Sequence, residues 1–263
     1  AQCCASHSGS ALHIETVQGI LAKIGLDESY LQCGVHAPGD AAERERLAQA
    51  GEQPTAIHNN CSGKHAGMLA LARYLGAPLE SYLQPEHPAQ QRILNTLARL
   101  SGVPAAAIAV GIDGCSAPTF ALPICGTATA FARIAAARTG WPAGDTAARR
   151  ISRAMMEHPH LIAGTGRFDT ILMRELAGVL FCKGGAEGFF CVGVPGRGIG
   201  IALKALDGAG RATAPAAMHL LGVLAVLPEP LPPALDPFAR PVVTNAAGIA
   251  AGEMRVVERG AGA

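Results

Sequence analysis

Residues 179–206 read VLFCKGGAEGFFCVGVPGRGIGIALKAL, and this stretch decides the fold class. It contains three apolar runs, 179–183, 189–194 and 199–206, separated by glycine-rich turns. Short apolar runs bounded by such turns are typical of an antiparallel meander of strands. Helical patterns occupy most of the remaining chain, so the sequence predicts an α/β fold in which an antiparallel sheet is packed by helices.

The helical patterns lie on both sides of this meander in the sequence. Apolar residues of segment 12–24 recur at helical spacing, and Asp40 is placed to cap the next helix. Further helices are predicted at 64–75, 88–100, 126–139, 145–157 and 215–226. A buried strand is predicted at 107–112, and a closing strand is predicted in the short segment after Pro241 that ends at 254–257. We see no repeat or domain linker, so we expect a single domain over residues 1–263.

Composition excludes several classes of protein. The chain has 263 residues, of which 49% are hydrophobic and 16% charged, so it can bury a core and is not generally disordered. The net charge of +1 and the 4% aromatic content do not suit a nucleic-acid binder. No apolar stretch reaches the roughly 18 residues of a membrane-spanning helix, so no membrane association is expected.

The eight cysteines are spread along the chain rather than paired in close motifs. This distribution, without a signal peptide, favours buried free thiols and a cytoplasmic location. The chain opens on Ala1-Gln2-Cys3-Cys4 with no initiator methionine. We therefore expect an N-terminal segment to be missing.

Reactive polar residues gather beside glycines in four places, namely 4–9, 58–65, 111–115 and 183–188, the last preceded by the glycine-containing run 164–167. Glycine lets the backbone approach a ligand closely, and backbone amides there can stabilise an oxyanion. For 58–65 the spacing leaves two interpretations open. The segment is either an ordinary helix cap formed by Asn60 or Ser62, or an anion site at a helix N-terminus.

Lys183 lies at the end of an apolar strand, where desolvation would lower its pKa. A neutral lysine can act as the base that activates a serine hydroxyl, and Ser6 and Ser62 are candidate partners. The alternative is a strand-end lysine that extends to solvent. The spacing of the cysteines does not favour a structural zinc site of the usual kind, since the chain has no CxxC pair. Cys61 and Cys115 could ligate a metal only if their two loops meet.

The four clusters, in this order, resemble the thermolabile L-asparaginases typified by rhizobial enzymes. The matching stretches are residues 4–9, 58–68, 111–115 and 183–188 with a closing Asn-Ala-Ala-Gly at 245–248, and they span almost the whole chain. The resemblance implies hydrolysis of L-asparagine to L-aspartate and ammonia by a homodimer. It also implies a fold similar to serine β-lactamases and glutaminases.

The resemblance assigns roles to individual residues. Ser6 and Lys183 match one of two catalytic Ser-Lys tandems, and Asp113 matches a residue that receives the substrate α-amino group. Residues predicted to line the substrate pocket are His7, His65 and Gly166. The residues that match the family's zinc site, with water as a fourth ligand, are Cys61, Lys64 and Cys115.

Two departures from the family pattern leave alternatives open. In the family the second Ser-Lys tandem lies upstream of the matched region, and it is absent from this sequence. In addition, Ser10 follows Gly9 where family members often have glutamate. The leading interpretation is an asparaginase that uses Ser6 and Lys183. The alternatives are a glutaminase-type serine amidase and a catalytically inactive protein that binds asparagine or zinc.

Overall fold

The computed structural model describes residues 1–137 and 145–257. Within these ranges the helices are α1 Ala11–Lys23, α2 Ala41–Ala50, α3 Ser62–Tyr74, α4 Pro88–Ser101, α5 Ile124–Ala135, α6 Asp145–Glu157, α7 Phe168–Glu175, α8 Thr213–Val223 and α9 Asp236–Ala239. The strands are β1 Ala109–Ile112, β2 Pro118–Ala121, β3 Phe181–Gly185, β4 Phe189–Val194, β5 Ile199–Lys204, β6 Val242–Thr244 and β7 Ala250–Glu253. The predicted α/β class is confirmed.

The predicted meander is the three-stranded antiparallel sheet β3-β4-β5. Lys183 pairs with Cys191 across β3 and β4. Helix α5 packs against β5 so closely that a Cβ on Gly200 would lie 2.0 Å from the carbonyl oxygen of Ala128. Glycine at this position is therefore what lets the helix lie directly on the sheet.

Two strand predictions are wrong in detail. The run 107–112 was expected to be buried, but all four residues of β1 are exposed, and Ile112 keeps 82% of its surface accessible. Strand β1 pairs only with β2 in a separate ribbon, and an apolar run in sequence does not reveal whether a neighbouring element covers it. The closing strand is β7 rather than 254–257, because the turn after Asn245 pairs Thr244 with Ala250.

The predicted helices are present with small shifts at their ends. Asp40 caps α2 by accepting a hydrogen bond from the Glu43 amide at 3.1 Å, as predicted. Gly102 ends α4 in the left-handed conformation, with φ of +76°. The predicted end of the fifth helix at Thr139 lies outside the described residues, and α5 ends at Ala135.

The buried apolar side chains form two clusters. The sheet cluster gathers β3–β5, α7 and α8 and includes Phe181 and Phe190. The helical cluster gathers α1 and α3 and includes Leu69 and Tyr82. Five of the eight cysteines are buried and all eight are free thiols, as predicted. No helix in the described ranges is long and apolar enough to cross a bilayer.

Residues 1–10 lie between these two clusters. The Ser6 amide donates a hydrogen bond to the Ile162 carbonyl, a residue of the sheet cluster, at 3.1 Å. The next amide, that of His7, donates to the Asn60 carbonyl just before α3 at 3.1 Å. Ser6 is therefore held at the boundary of the two clusters.

Candidate functional site

Ser6 and Lys183 meet at this boundary. Lys183 Nζ lies 3.0 Å from Ser6 Oγ and also contacts the carbonyl oxygen of Gly184. Lys183 projects from the middle of β3, and Ser6 is fixed by the hydrogen bond from its amide to the Ile162 carbonyl. The fold thus brings together two residues that the sequence places 177 positions apart.

The second serine considered as a partner of Lys183 is engaged elsewhere. Ser62 is fully buried, and its hydroxyl donates to the Ile57 carbonyl at 2.9 Å. Its oxygen also lies 3.0 Å from His7 Nε2. The geometry therefore pairs Lys183 with Ser6 and gives Ser62 a structural role in the loop before α3.

The surroundings of Lys183 favour its neutral form. Burial of the ammonium group is the largest influence and lowers the pKa of Lys183. The Asp169 carboxylate acts in the opposite direction, and the nearby Arg167 lowers the pKa further. A lysine in this setting carries more neutral amine near neutral pH than a lysine in water does.

Asp169 is a site residue that sequence reasoning missed. It is buried in the first turn of α7, and its Oδ1 accepts a hydrogen bond from the Gly184 amide at 2.5 Å. A Cβ on Gly184 would lie 3.1 Å from both carboxylate oxygens. The available signal was an acidic residue two positions after the Gly-Thr-Gly-Arg run of 164–167.

Loop 164–167 packs against Ser8 at Gly164 and leads into the start of α7. Gly164 has φ of +120°, and a Cβ there would lie 2.2 Å from Ser8 Oγ, so the loop requires glycine at this point. Gly166, predicted as a substrate contact, is exposed in the same loop with φ of +72°. Since α7 carries Asp169 against Gly184, this loop lies beside the Ser6–Lys183 pair.

His7 is built into the wall behind Ser6. The Gly9 amide donates to its Nδ1 at 3.1 Å, so Nε2 carries the proton that is donated to Ser62. The ring stacks on His13 at a centroid distance of 4.8 Å, and His13 stacks on His160 at 4.9 Å. Burial, followed by His13 and His36, lowers the pKa of His7 to about 3. The imidazole is therefore neutral in the folded protein.

Cys61, Asp113 and Cys115 come together although their loops are far apart in sequence. One ligand atom of each lies within 4.8 Å of the other two, and Cys115 Sγ donates to Asp113 Oδ2 at 2.9 Å. Lys64, one turn along α3 from Cys61, places its Nζ 3.4 Å from Asp113 Oδ2. We call these four residues the thiol cluster.

The pKa values of the two thiols are shifted in opposite directions. The hydrogen bond with Cys115 lowers the pKa of Cys61 to about 7, against the effect of burial and with help from Lys64. The same bond, together with burial, raises the pKa of Cys115 to about 12. Burial alone would lower the pKa of Lys64, but Cys61, Cys115 and Asp113 outweigh it and raise the pKa. Cys61 is therefore the more acidic of the two thiols.

The donor atoms of the thiol cluster suit zinc. Zinc prefers sulfur and nitrogen donors, and Cys61, Cys115 and Lys64 supply three of them once each has lost its proton. The meeting of the two loops supplies the condition that the sequence left open. Lys64 and Asp113 keep 36% and 37% of their side-chain surface exposed, so the cluster opens to solvent on that side.

His65, predicted as a pocket residue, lies behind the thiol cluster. It is fully buried, and its Nδ1 lies 2.6 Å from the Tyr82 hydroxyl oxygen. Tyr82 was not identified from sequence. Cys61 of the thiol cluster is also one of the groups that raise the pKa of Lys183.

The family model for L-asparaginase II matches residues 1–256, almost the whole chain. No curated protein matched the chain in sequence.

Proposed function

Because the chain belongs to the L-asparaginase II family, we propose that it hydrolyses the side-chain amide of L-asparagine to L-aspartate and ammonia. Membership of this family supports a hydrolase that acts on amides. The observation that carries the proposed chemistry is the 3.0 Å separation between Lys183 Nζ and Ser6 Oγ, in surroundings that lower the pKa of the lysine.

In the proposed reaction, neutral Lys183 takes the proton of Ser6 as Oγ attacks the amide carbon. The ammonium of Lys183 then returns a proton to the departing nitrogen, the C–N bond breaks, and ammonia leaves an acyl-enzyme. Water attacks the ester with Lys183 again as base, which releases aspartate and restores Ser6.

Backbone amides that already donate a hydrogen bond within the protein are poor candidates for stabilising the oxyanion. The Ser6 amide is engaged with Ile162 and the Gly184 amide with Asp169. The amides of the exposed residues Thr165 and Gly166 donate no hydrogen bond within the described part of the chain. We therefore propose this loop as the source of oxyanion donors, which gives the predicted contact Gly166 a concrete role.

The thiol cluster would hold zinc through Cys61, Lys64 and Cys115. When bound, the metal supplies a fixed positive charge beside the pocket. The half-exposed Asp113 carboxylate is placed to receive the substrate α-amino group, and its negative form is favoured. Burial would raise the pKa of Asp113, but Cys115 and Lys64 outweigh it and lower the pKa.

The experiment measures ammonia release from L-asparagine and L-glutamine by the chain and by Ser6→Ala, with the exposed Ser29→Ala as matched control. We expect asparagine to be the better substrate and Ser6→Ala to lower kcat by about 10³-fold or more. Folded Ser6→Ala with unchanged kcat contradicts the mechanism, and faster release from glutamine identifies the amidase alternative.

A folded chain that releases no ammonia, yet is stabilised by asparagine, identifies a binding protein instead. The homodimer implied by the family resemblance is a further proposal. Light scattering on the same samples tests it, and a monomeric mass contradicts it.

A further inference from the structure

A buried hydrogen-bond chain leads from Tyr82 towards the thiol cluster. The Gln32 amide donates to the Tyr82 hydroxyl oxygen at 2.9 Å, so this oxygen is used as an acceptor on one side. The hydroxyl proton then points to His65 Nδ1, 2.6 Å away. An imidazole that accepts at Nδ1 carries its proton on Nε2. Tyr82 thereby selects one tautomer of His65.

The proton on His65 Nε2 has no ordinary acceptor. This atom is fully buried and makes no hydrogen bond of normal geometry within the described residues. Cys115 is a thiol within interaction range of this imidazole. A buried N–H without an acceptor is costly, and a sulfur that becomes a thiolate on metal binding would supply one.

The two residues are held rigidly. Both side chains are completely buried, and their rings meet edge to face at a centroid distance of 5.6 Å and an angle of 88°. The backbone of Tyr82 is fixed by Gln90, whose side chain donates to the Tyr82 carbonyl at 2.8 Å. Helix α3 begins after Cys61 and carries Lys64 and His65 in its first turn. The imidazole is therefore built on the same turn as two of the proposed ligands, Cys61 and Lys64.

We propose that Tyr82 and His65 are positioning residues of the zinc site, in which the Tyr82 hydroxyl fixes His65 so that its Nε2–H donates to the sulfur of Cys115. The inference rests on the proposed zinc site. The donated hydrogen bond orients the sulfur towards Cys61 and Lys64. Groups behind a ligand often change metal affinity about 10–100-fold when they are removed.

The first test compares Tyr82→Phe with Tyr74→Phe, an exposed tyrosine at the end of α3. Both changes remove only a hydroxyl. Zinc affinity is measured by competition with a chromophoric chelator, and the thiolate-to-metal charge-transfer band is recorded with Co²⁺ in place of zinc. We expect zinc binding by Tyr82→Phe to weaken about 10–100-fold with a shifted band, and binding by Tyr74→Phe to match the wild type.

A second pair of variants separates the hydrogen bond from packing. The amide nitrogen of glutamine reaches the position of Nε2, whereas that of asparagine reaches only the position of Nδ1. His65→Gln should therefore retain more zinc affinity than His65→Asn and keep a band closer to that of wild type. Equal losses in the two variants overturn the proposed role of Nε2.

The two proposals fail in different ways. Wild-type protein that binds neither zinc nor Co²⁺ overturns the zinc site itself. Wild-type protein that binds both metals, with Tyr82→Phe unchanged in affinity and spectrum, overturns only the positioning role. Urea unfolding of each variant identifies any that lose the fold, and the glutamine and asparagine pair then decides the question.

Discussion

The two lysines of the site have the same side chain and opposite electrostatic settings. Lys183 projects from β3 of the sheet cluster, where burial dominates and lowers its pKa. Lys64 lies on the first turn of α3, where two thiols and Asp113 outweigh burial and raise its pKa. The balance between burial and the attraction of nearby acidic groups therefore decides which lysine can be a base at neutral pH.

The local backbone explains the difference. Cys61 and Lys64 are three positions apart at the start of one helix, so their side chains share a face. Lys183 has one carboxylate nearby, that of Asp169, and this group is engaged with the Gly184 amide. An acid already committed to a backbone donor offsets the desolvation of a neighbouring lysine only in part.

The largest expected effect comes from replacing the base with a side chain that stays positively charged. Lys183→Arg should lower kcat for L-asparagine by about 10³-fold, because a guanidinium does not release its proton near neutral pH. Lys64→Arg should instead raise KM more than it lowers kcat, since the thiol cluster is proposed to bind and not to transfer protons. Steady-state kinetics separate the two, with the exposed Lys23→Arg as control. An active Lys183→Arg would remove the contrast between the lysines.

The next effect concerns the thiol cluster alone. Zinc at about 100 times its Kd should stabilise the wild type by about 2.7 kcal/mol. Cys115→Ser should lose this gain, whereas the exposed Cys125→Ser should keep it. Thermal unfolding with and without zinc measures both. A zinc-dependent shift retained by Cys115→Ser would place the metal elsewhere.

Acid should weaken the boundary between the two clusters through His7. Its pKa in the folded protein is about 3, against 6.5 in an unfolded chain, so the fold favours the neutral ring. The contribution to stability is complete above about pH 6.5 and is lost as the pH falls towards 3, with about 2 kcal/mol lost by pH 5. Urea unfolding from pH 7.5 to pH 5 measures this loss. His7→Gln should show a flatter profile, and an identical profile would contradict the assignment.

The smallest effect tests the tuning of Lys183. Arg167 lowers the pKa of Lys183 and Asp169 raises it. Arg167→Gln should therefore move the acidic limb of the kcat profile to higher pH by a few tenths of a unit, as expected for an exposed charge. Asp169→Asn should move it to lower pH while keeping an acceptor for Gly184. Shifts of the same sign in both variants would show that another group sets the limb.

Much of the fold was predictable because its signals are local. The apolar runs and turns of 179–206 predicted the meander, and Asp40 predicted the start of α2. The exposure of β1 was not predictable, since burial depends on which element covers a strand. The membership of the chain in an asparaginase family was carried by short motifs spread along the sequence.

The site was predictable only where a motif marked it. Spacing left Ser6 and Ser62 as equal partners of Lys183, and only the fold separates them. Asp169 and Tyr82 act on residues 15 and 17 positions away, through contacts that no local pattern records. The opposite pKa shifts of the two thiols likewise arise because their loops meet only in the folded chain.

The adjacent amides of Ser6 and His7 are bonded to opposite clusters, and this arrangement has a consequence for heat inactivation. Any sliding of one cluster against the other must break one of these two bonds and carry the serine away from its lysine. Turnover should therefore cease at a lower temperature than secondary structure is lost. The molecule would lose its chemistry by local separation, and cooling before global melting would restore it.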